Sequence, residues 1–181
     1  MTVFTDLQNS VAARLARFAQ FQGIQIVTER TKDFRSDVER ALGGIHPDFK
    51  AGLFLLVGTP TCGVVNKQSP GPHLKLVVAV TCSENVFQNT APNGSQFPAA
   101  DCALDVLRAL SGFAPATWTG PADARTAQSL GTLCPEEPGI RVIEDPFDSD
   151  RLCYLVTLST QAATTPLRLD GEGTYVKETT T

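Results

Sequence analysis

The chain has 181 residues, of which 42% are hydrophobic and 19% charged, and a formal net charge of −4. That length suits one domain burying roughly 70% of its extended-chain surface, and is short for two. No apolar run approaches the about 20 residues that cross a bilayer, and the basic residues are scattered rather than striped, so neither a membrane span nor direct nucleic-acid binding is expected.

Thr5 is placed to cap a helix with Gln8 at the capping-box position. Leu7, Val11, Leu15 and Phe18 then form one apolar face of a helix over Asp6–Phe21 that Gly23 ends. Arg14 and Arg17 lie on the polar side near its C-terminal end, where positive charge suits the macrodipole. The preceding residues carry no basic stretch or unbroken apolar core, so a cytoplasmic site of synthesis and residence is expected.

Ile24–Thr28 reads as a short strand, and the charged stretch from Glu29 to Arg40 spaces Phe34, Val38 and Leu42 helically before Gly43 and Gly44. Gly52–Gly58 is a continuous apolar run, a buried strand expected to pair with Leu74–Cys82. Between them, Thr59–His73 is rich in Gly, Pro, Ser and Asn and too long for a simple hairpin turn, which marks it as a partner-contacting arm carrying Asn66, Lys67 and His73.

In Leu74–Cys82 both faces are largely apolar, since Leu74, Leu76, Val78 and Val80 alternate with Val77, Ala79 and Thr81. This predicts a central strand covered on both sides. The following Ser83–Asn89 supplies short polar side chains that hold a bend, with Phe87 as an apolar peg. From Pro98, an apolar stripe of Ala103, Leu104, Leu107 and Leu110 opposes Asp101, Asp105 and Arg108, and Gly112 supplies a stop.

Phe113–Glu137, with Trp118 and the CPEEPG segment, reads as irregular surface chain in which Trp118 is either the anchor of a satellite core or an interface residue. Ile140–Ile143 and Leu152–Leu158 read as two further strands joined by an acidic loop containing Glu144, Asp145, Asp148 and Asp150. Beyond Ser159 the Thr-rich sequence suits a frayed tail or an arm that orders on assembly.

Catalytic and metal chemistry finds little support. The two histidines, His46 and His73, each stand beside proline in loop-like sequence, and the acidic loop does not follow the spacing of a calcium-binding loop. Five cysteines, Cys62, Cys82, Cys102, Cys134 and Cys153, contain no C-x-x-C pair and are odd in number, so reduced, mostly buried thiols are expected. Cys62 and His73 form the one nucleophile and base pair close enough in sequence to meet across a hairpin, the basis of a minor hydrolase alternative. No P-loop or dinucleotide-binding glycine string is present, and no cofactor is expected.

The window Leu74–Phe113, with V-x-V-T-x-x-E-N-x-x-x-N, a glycine-containing loop and an A-x-x-x-L-x-x-L helix, resembles the tail-terminator (tail-completion) proteins of tailed bacteriophages. It differs in carrying Val86 where related sequences tend to have proline, and the polar extension beyond Leu158 does not align with them. The resemblance implies a non-enzymatic virion protein at the tail-neck junction. It would form a homohexameric ring that caps the tail tube and contacts the tube protein, neck or connector proteins and, in a contractile tail, the sheath. A head-completion or neck connector protein is the alternative. Glu84, Asn85, Phe87 and Asn89 are then expected near a subunit boundary, with Asn66, Lys67, His73, Arg14 and Arg17 as further interface candidates.

The expected architecture is one α/β domain of the α+β type over residues 1–158, with a polar extension over 159–181. Four strands, Gly52–Gly58, Leu74–Cys82, Ile140–Ile143 and Leu152–Leu158, form a mostly antiparallel sheet to which Ile24–Thr28 adds an edge. The helices Asp6–Phe21 and Ala99–Leu110 flank it.

Overall fold

The computed structural model describes residues 3–29, 48–66, 73–115, 130–144, 151–163, 168–169 and 175–176. The expected helix carrying Phe34, Val38 and Leu42, its Gly43–Gly44 stop, His46, Lys67, Trp118, most of the acidic loop and most of the C-terminal tail lie outside the described residues.

In chain order the elements are α1 (Val3–Leu15), a 3-10 turn (Ala19–Phe21), β1 (Gln25–Thr28), β2 (Leu53–Val57), β3 (Thr61–Asn66), β4 (His73–Glu84), α2 (Val86–Asn89), α3 (Ala99–Leu110), β5 (Cys134–Ile143), β6 (Leu152–Ala163), β7 (Arg168–Leu169) and β8 (Tyr175–Val176). Six strands form one mixed sheet in the order β1-β2-β4-β6-β5, with β3 also pairing β4, while β7 and β8 pair with each other. The β1–β2 pair is parallel and every other pair antiparallel. This is the expected α+β architecture with one strand more, and β4 is the central strand as predicted.

The extra strand corrects the reading of Thr59–His73 as an irregular arm. Leu53–Val57 and Thr61–Asn66 run one after the other along β4, from Leu53 opposite Glu84 to Asn66 opposite His73. The register slips by one residue between Val57 and Thr61, where Gly58 donates to the Ala79 carbonyl at 2.9 Å. Pro60, which has no N–H to give a ladder, falls in that slip. Pro60, one of the residues that suggested a loop, therefore marks with Gly58 a bulge between two stretches paired with β4.

One core lies between the sheet and the helices. Period-2 alternation aims Leu53, Leu55 and Val57 of β2, Leu76, Val78, Val80 and Cys82 of β4, and Val156 and Leu158 of β6 at Leu7, Val11 and Leu15 of α1 and at Cys102, Ala103, Val106 and Leu110 of α3. Each fully buried Leu or Val there contributes roughly 1.5–3 kcal/mol relative to exposure. The opposite face is closed over β1 and β2, where Val27, Phe54 and Leu56 are buried. Over β4 it is half-open, since Lys75, Val77, Ala79 and Thr81 remain partly exposed. Coverage of β4 on both sides is thus corrected: Lys75 and Thr81 on its second face tolerate water.

Two helix readings shift. Thr5 does not cap α1, which is already helical at Val3 because Phe4 packs against the core. Gln8 is likewise no capping-box residue; it is buried and its Nε2 donates to the Val57 carbonyl at 2.7 Å. The α-helix stops at Leu15, and Phe18 and Phe21 are placed by the turn and 3-10 segment that follow, meeting edge to face at 6.3 Å before Gly23 turns the chain at φ +79. For α3 the bounds are as expected, but its buried stripe is Ala99, Cys102, Ala103, Val106, Ala109 and Leu110, which leaves Leu104 about half exposed.

The C-terminal half also extends the expected strands. Ser83 and Glu84 belong to β4, and β6 runs on to Ala163, pairing with β4 over its whole length. The CPEEPG segment is part of β5 rather than irregular: Cys134 and Pro135 pair with Ser159 and Leu158, pairing resumes at Ile140 opposite Val156, and Glu136–Gly139 bulge between. The bulge turns Glu136 across the sheet, where it meets Lys75 at 2.6 Å and accepts a bond from Ser159. Those bonds hold the Glu136 carboxyl below its ordinary range, Lys75 contributing most.

Candidate interface

The exit of β4 is built around a buried acid. Asn85 follows Glu84 as the N-cap of α2, its side-chain oxygen accepting from Gln88 N at 3.1 Å, and the single turn Val86–Asn89 brings Asn89 back over the strand end. Glu84, 5% exposed, accepts from Asn89 Nδ2 at 2.6 Å and from the backbone N of Ala99 at 2.8 Å. Ala99 begins α3, whose N-cap is Pro98 with no side-chain bond to offer. Glu84 therefore supplies at long range the cap that the local sequence lacks, with its negative charge at the positive end of the helix.

Asn89 completes the cluster. Its Nδ2 also donates to the Phe97 carbonyl at 3.0 Å, and its Oδ1 accepts from Ser95, whose hydroxyl in turn accepts from Phe97 N at 3.2 Å. The turn is sewn to the start of β2 as well, by Asn85 N to Gly52 O at 2.8 Å and by bonds joining Ala51 to Asn93 and Ser95. Only glycine serves at Gly52 and Gly94. A Cβ at Gly52 would stand 2.1 Å from Asn89 N, one at Gly94 2.0 Å from Asn89 O, and Gly52 has φ +83.

The consequence is a rigid turn with an apolar tip. Phe87 is 82% exposed and Val86 46%. Of the residues expected at a boundary, Glu84 and Asn89 spend their polar atoms within the chain and act from beneath the surface, while Phe87 is the one displayed. Ser95, Gly52 and Gly94 were not singled out by the sequence, since isolated serines and glycines carry no signal of a partner so distant in the chain.

Arg14 and Arg17 stand elsewhere, near the other end of α3, about 18 Å along a helix of this length. Arg14 Nε donates to the Ala109 carbonyl at 3.4 Å, and its guanidinium lies 4.8 Å from the Phe18 ring centre and 5.2 Å from that of Phe113. It thus satisfies the C-terminal end of α3 while two aromatic faces hold it. With Ser10, Ala13, Arg17, Phe113 and Ala114 it lines a surface cavity of about 280 Å³. Among the described residues, neither arginine forms an ion pair.

Asn66 ends β3 and His73 begins β4, opposite each other in register. Cys62 is paired with Leu76, three residues along β4 from His73 and so about 10 Å away along the strand; the register does not bring this cysteine and histidine together. All five cysteines are free, with Cys82, Cys102 and Cys153 buried and Cys62 and Cys134 exposed. Burial pushes the Cys82 thiol well above its ordinary range, with the neighbouring Cys102 adding to the shift, which makes it a poor nucleophile. Among the described residues no helix is long and apolar enough to cross a membrane, and no three His, Cys, Asp or Glu are grouped as metal ligands.

No family model matches the chain, and no curated protein matches it.

Proposed function

We propose that this chain is a structural virion subunit of the tail-terminator kind, which caps the tail tube of a bacteriophage as a hexameric ring, stops tube growth and offers a surface to the neck. Its work is binding rather than catalysis, and its partners are further copies of itself, the tube protein and the neck proteins. The observation that carries this reading is the way the E-N-x-x-x-N string folds: its first and last residues are buried partners, and the residues between them display Phe87 on a turn clamped by Gly52 and Gly94. A rigid exposed aromatic has no use inside the monomer and suits a contact surface. Val86, where the resembled family tends to have proline, is the first helical residue of α2, a position that accepts either.

A cap must also differ at its two ends, one matching the tube and the other refusing another tube ring. The α2 turn, which displays Phe87, suits one of those contacts. Immunogold labelling of purified particles tests the reading: label at the junction of tail and head supports it, and label confined to the capsid, the distal tail or no part of the particle contradicts it.

A further inference from the structure

The Arg14 cavity is left unexplained by the fold. Arg14 is held by Phe18, Phe113 and the Ala109 carbonyl, so its orientation is fixed in advance, yet it has no acid partner among the described residues, and Arg17 adds a second cation. A guanidinium whose faces are covered by rings keeps its in-plane edge for bidentate bonding to an oxyanion. Ala13, Phe113 and Ala114 give the cavity an apolar wall beside that charge. Two cations match a ligand with a few negative charges and an apolar body; a polyanion such as DNA would require a longer basic stripe.

The chain carries such a segment. Glu144 is exposed at the end of β5 and forms no ion pair among the described residues. In the sequence it begins the run Glu144, Asp145, Pro146, Phe147, Asp148, Ser149, Asp150, in which four acids surround one phenylalanine, with Arg151 as the following cation. The same copy's Glu144 does not reach the cavity. Gly112, next to Phe113, bonds Leu133 at the start of β5, whereas Ile143 pairs with Cys153, six residues and about 20 Å along β6 from the Cys134–Ser159 pair.

We propose that the Arg14–Arg17 cavity of one subunit receives the acidic Glu144–Asp150 segment of a second copy. Arg14 and Glu144, the residue that begins the donor run, lie toward opposite ends of the sheet, the head-to-tail arrangement that closes into a ring when the rotation between copies allows it. The inference rests on the ring reading for that closure, but the contact itself is testable alone.

The experiment is a titration of full-length protein against a labelled synthetic peptide of residues 143–151, read by fluorescence anisotropy. Saturable binding is expected, weakened at least tenfold by Arg14→Gln and measurably by Arg17→Gln, reduced by salt, and lost when the four acids of the peptide are replaced by their amides. Circular dichroism of both variants confirms folding, and Arg17, being exposed, provides a variant with no structural burden. No saturation at millimolar peptide, or binding indifferent to both arginines, overturns the proposal. So does equal binding by a scrambled peptide of the same composition, or displacement of the peptide by inorganic phosphate or a short DNA duplex at equal concentration, since either marks a general anion site. Peptide binding together with label away from the tail junction would retain the self-contact and reject the terminator reading.

Discussion

Replacing Glu84 by glutamine keeps the shape of the side chain and removes its charge. The carboxylate accepts two bonds, from Asn89 Nδ2 and Ala99 N, at 2.6 and 2.8 Å. An amide accepts only one of them and turns its own NH₂ toward the other donor, inside a site only 5% exposed. Loss of one charge-assisted bond costs about 1.5–3 kcal/mol, and the lost attraction to the α3 N-terminus adds about 0.3–1 kcal/mol. The expected destabilisation is about 2–4 kcal/mol, which lowers Tm by roughly 5–15 °C in a chain of this size. Urea denaturation followed by circular dichroism measures it, and a double-mutant cycle with Asn89→Ala is expected to show coupling of at least about 0.5 kcal/mol, because the two residues share a bond. A Glu84→Gln chain unfolding at the wild-type midpoint with unchanged slope would refute the assignment of Glu84 as the anchor of this turn.

Gly52→Ala places a methyl 2.1 Å from Asn89 N at a φ of +83. A loss of about 3 kcal/mol or more is expected, visible as a lowered Tm or a failure to accumulate soluble protein, and wild-type stability would refute the close approach. Phe87→Ser leaves monomer stability within about 0.5 kcal/mol, because the ring is 82% exposed, while reducing incorporation into particles. Normal incorporation, quantified by immunoblot of purified virions, would remove Phe87 from the contact surface. The bonds from Lys75 and Ser159 depress the Glu136 pKa below its ordinary value of 4.5. Its contribution is therefore full above pH 4.5 and lost as pH falls through the lower folded value; Lys75→Met is expected to flatten the acid limb of the stability profile, and identical limbs would contradict it.

What the sequence makes legible follows from how local each signal is. The bounds of α3 and the pairing of β2 with β4 rest on periodicity and on runs of Leu and Val that need no distant partner. Strand β3 was hidden because Gly58, Pro60 and Gly63 are turn formers by composition, and only register with β4 shows that Thr61–Asn66 is paired chain. The α3 stripe was misphased by a few residues because small residues such as Ala99, Cys102 and Ala103 carry less hydrophobic weight than Leu104, although close packing on the sheet favours the small ones.

The polar turn was read correctly as a bend, but its economy was not legible. Glu84 is expected in the bend and near a subunit boundary, but acids are seldom buried unless paired, and its partners come from residues 89 and 99, fixed only once the turn closes. Arg14 looked like part of a solvated helix face for a similar reason. Its aromatic neighbour Phe113 and its acceptor at Ala109 lie far along the chain, on the terminus of a helix packed against α1.

The most direct measurement is electron microscopy of particles from a producing strain in which this gene is deleted, scoring tube length and head attachment. Overlong tubes of variable length are the expected result, since growth would lack its cap. Tubes of normal length without heads would contradict the terminator reading and favour a neck connector, and intact particles would contradict a structural role in the tail altogether.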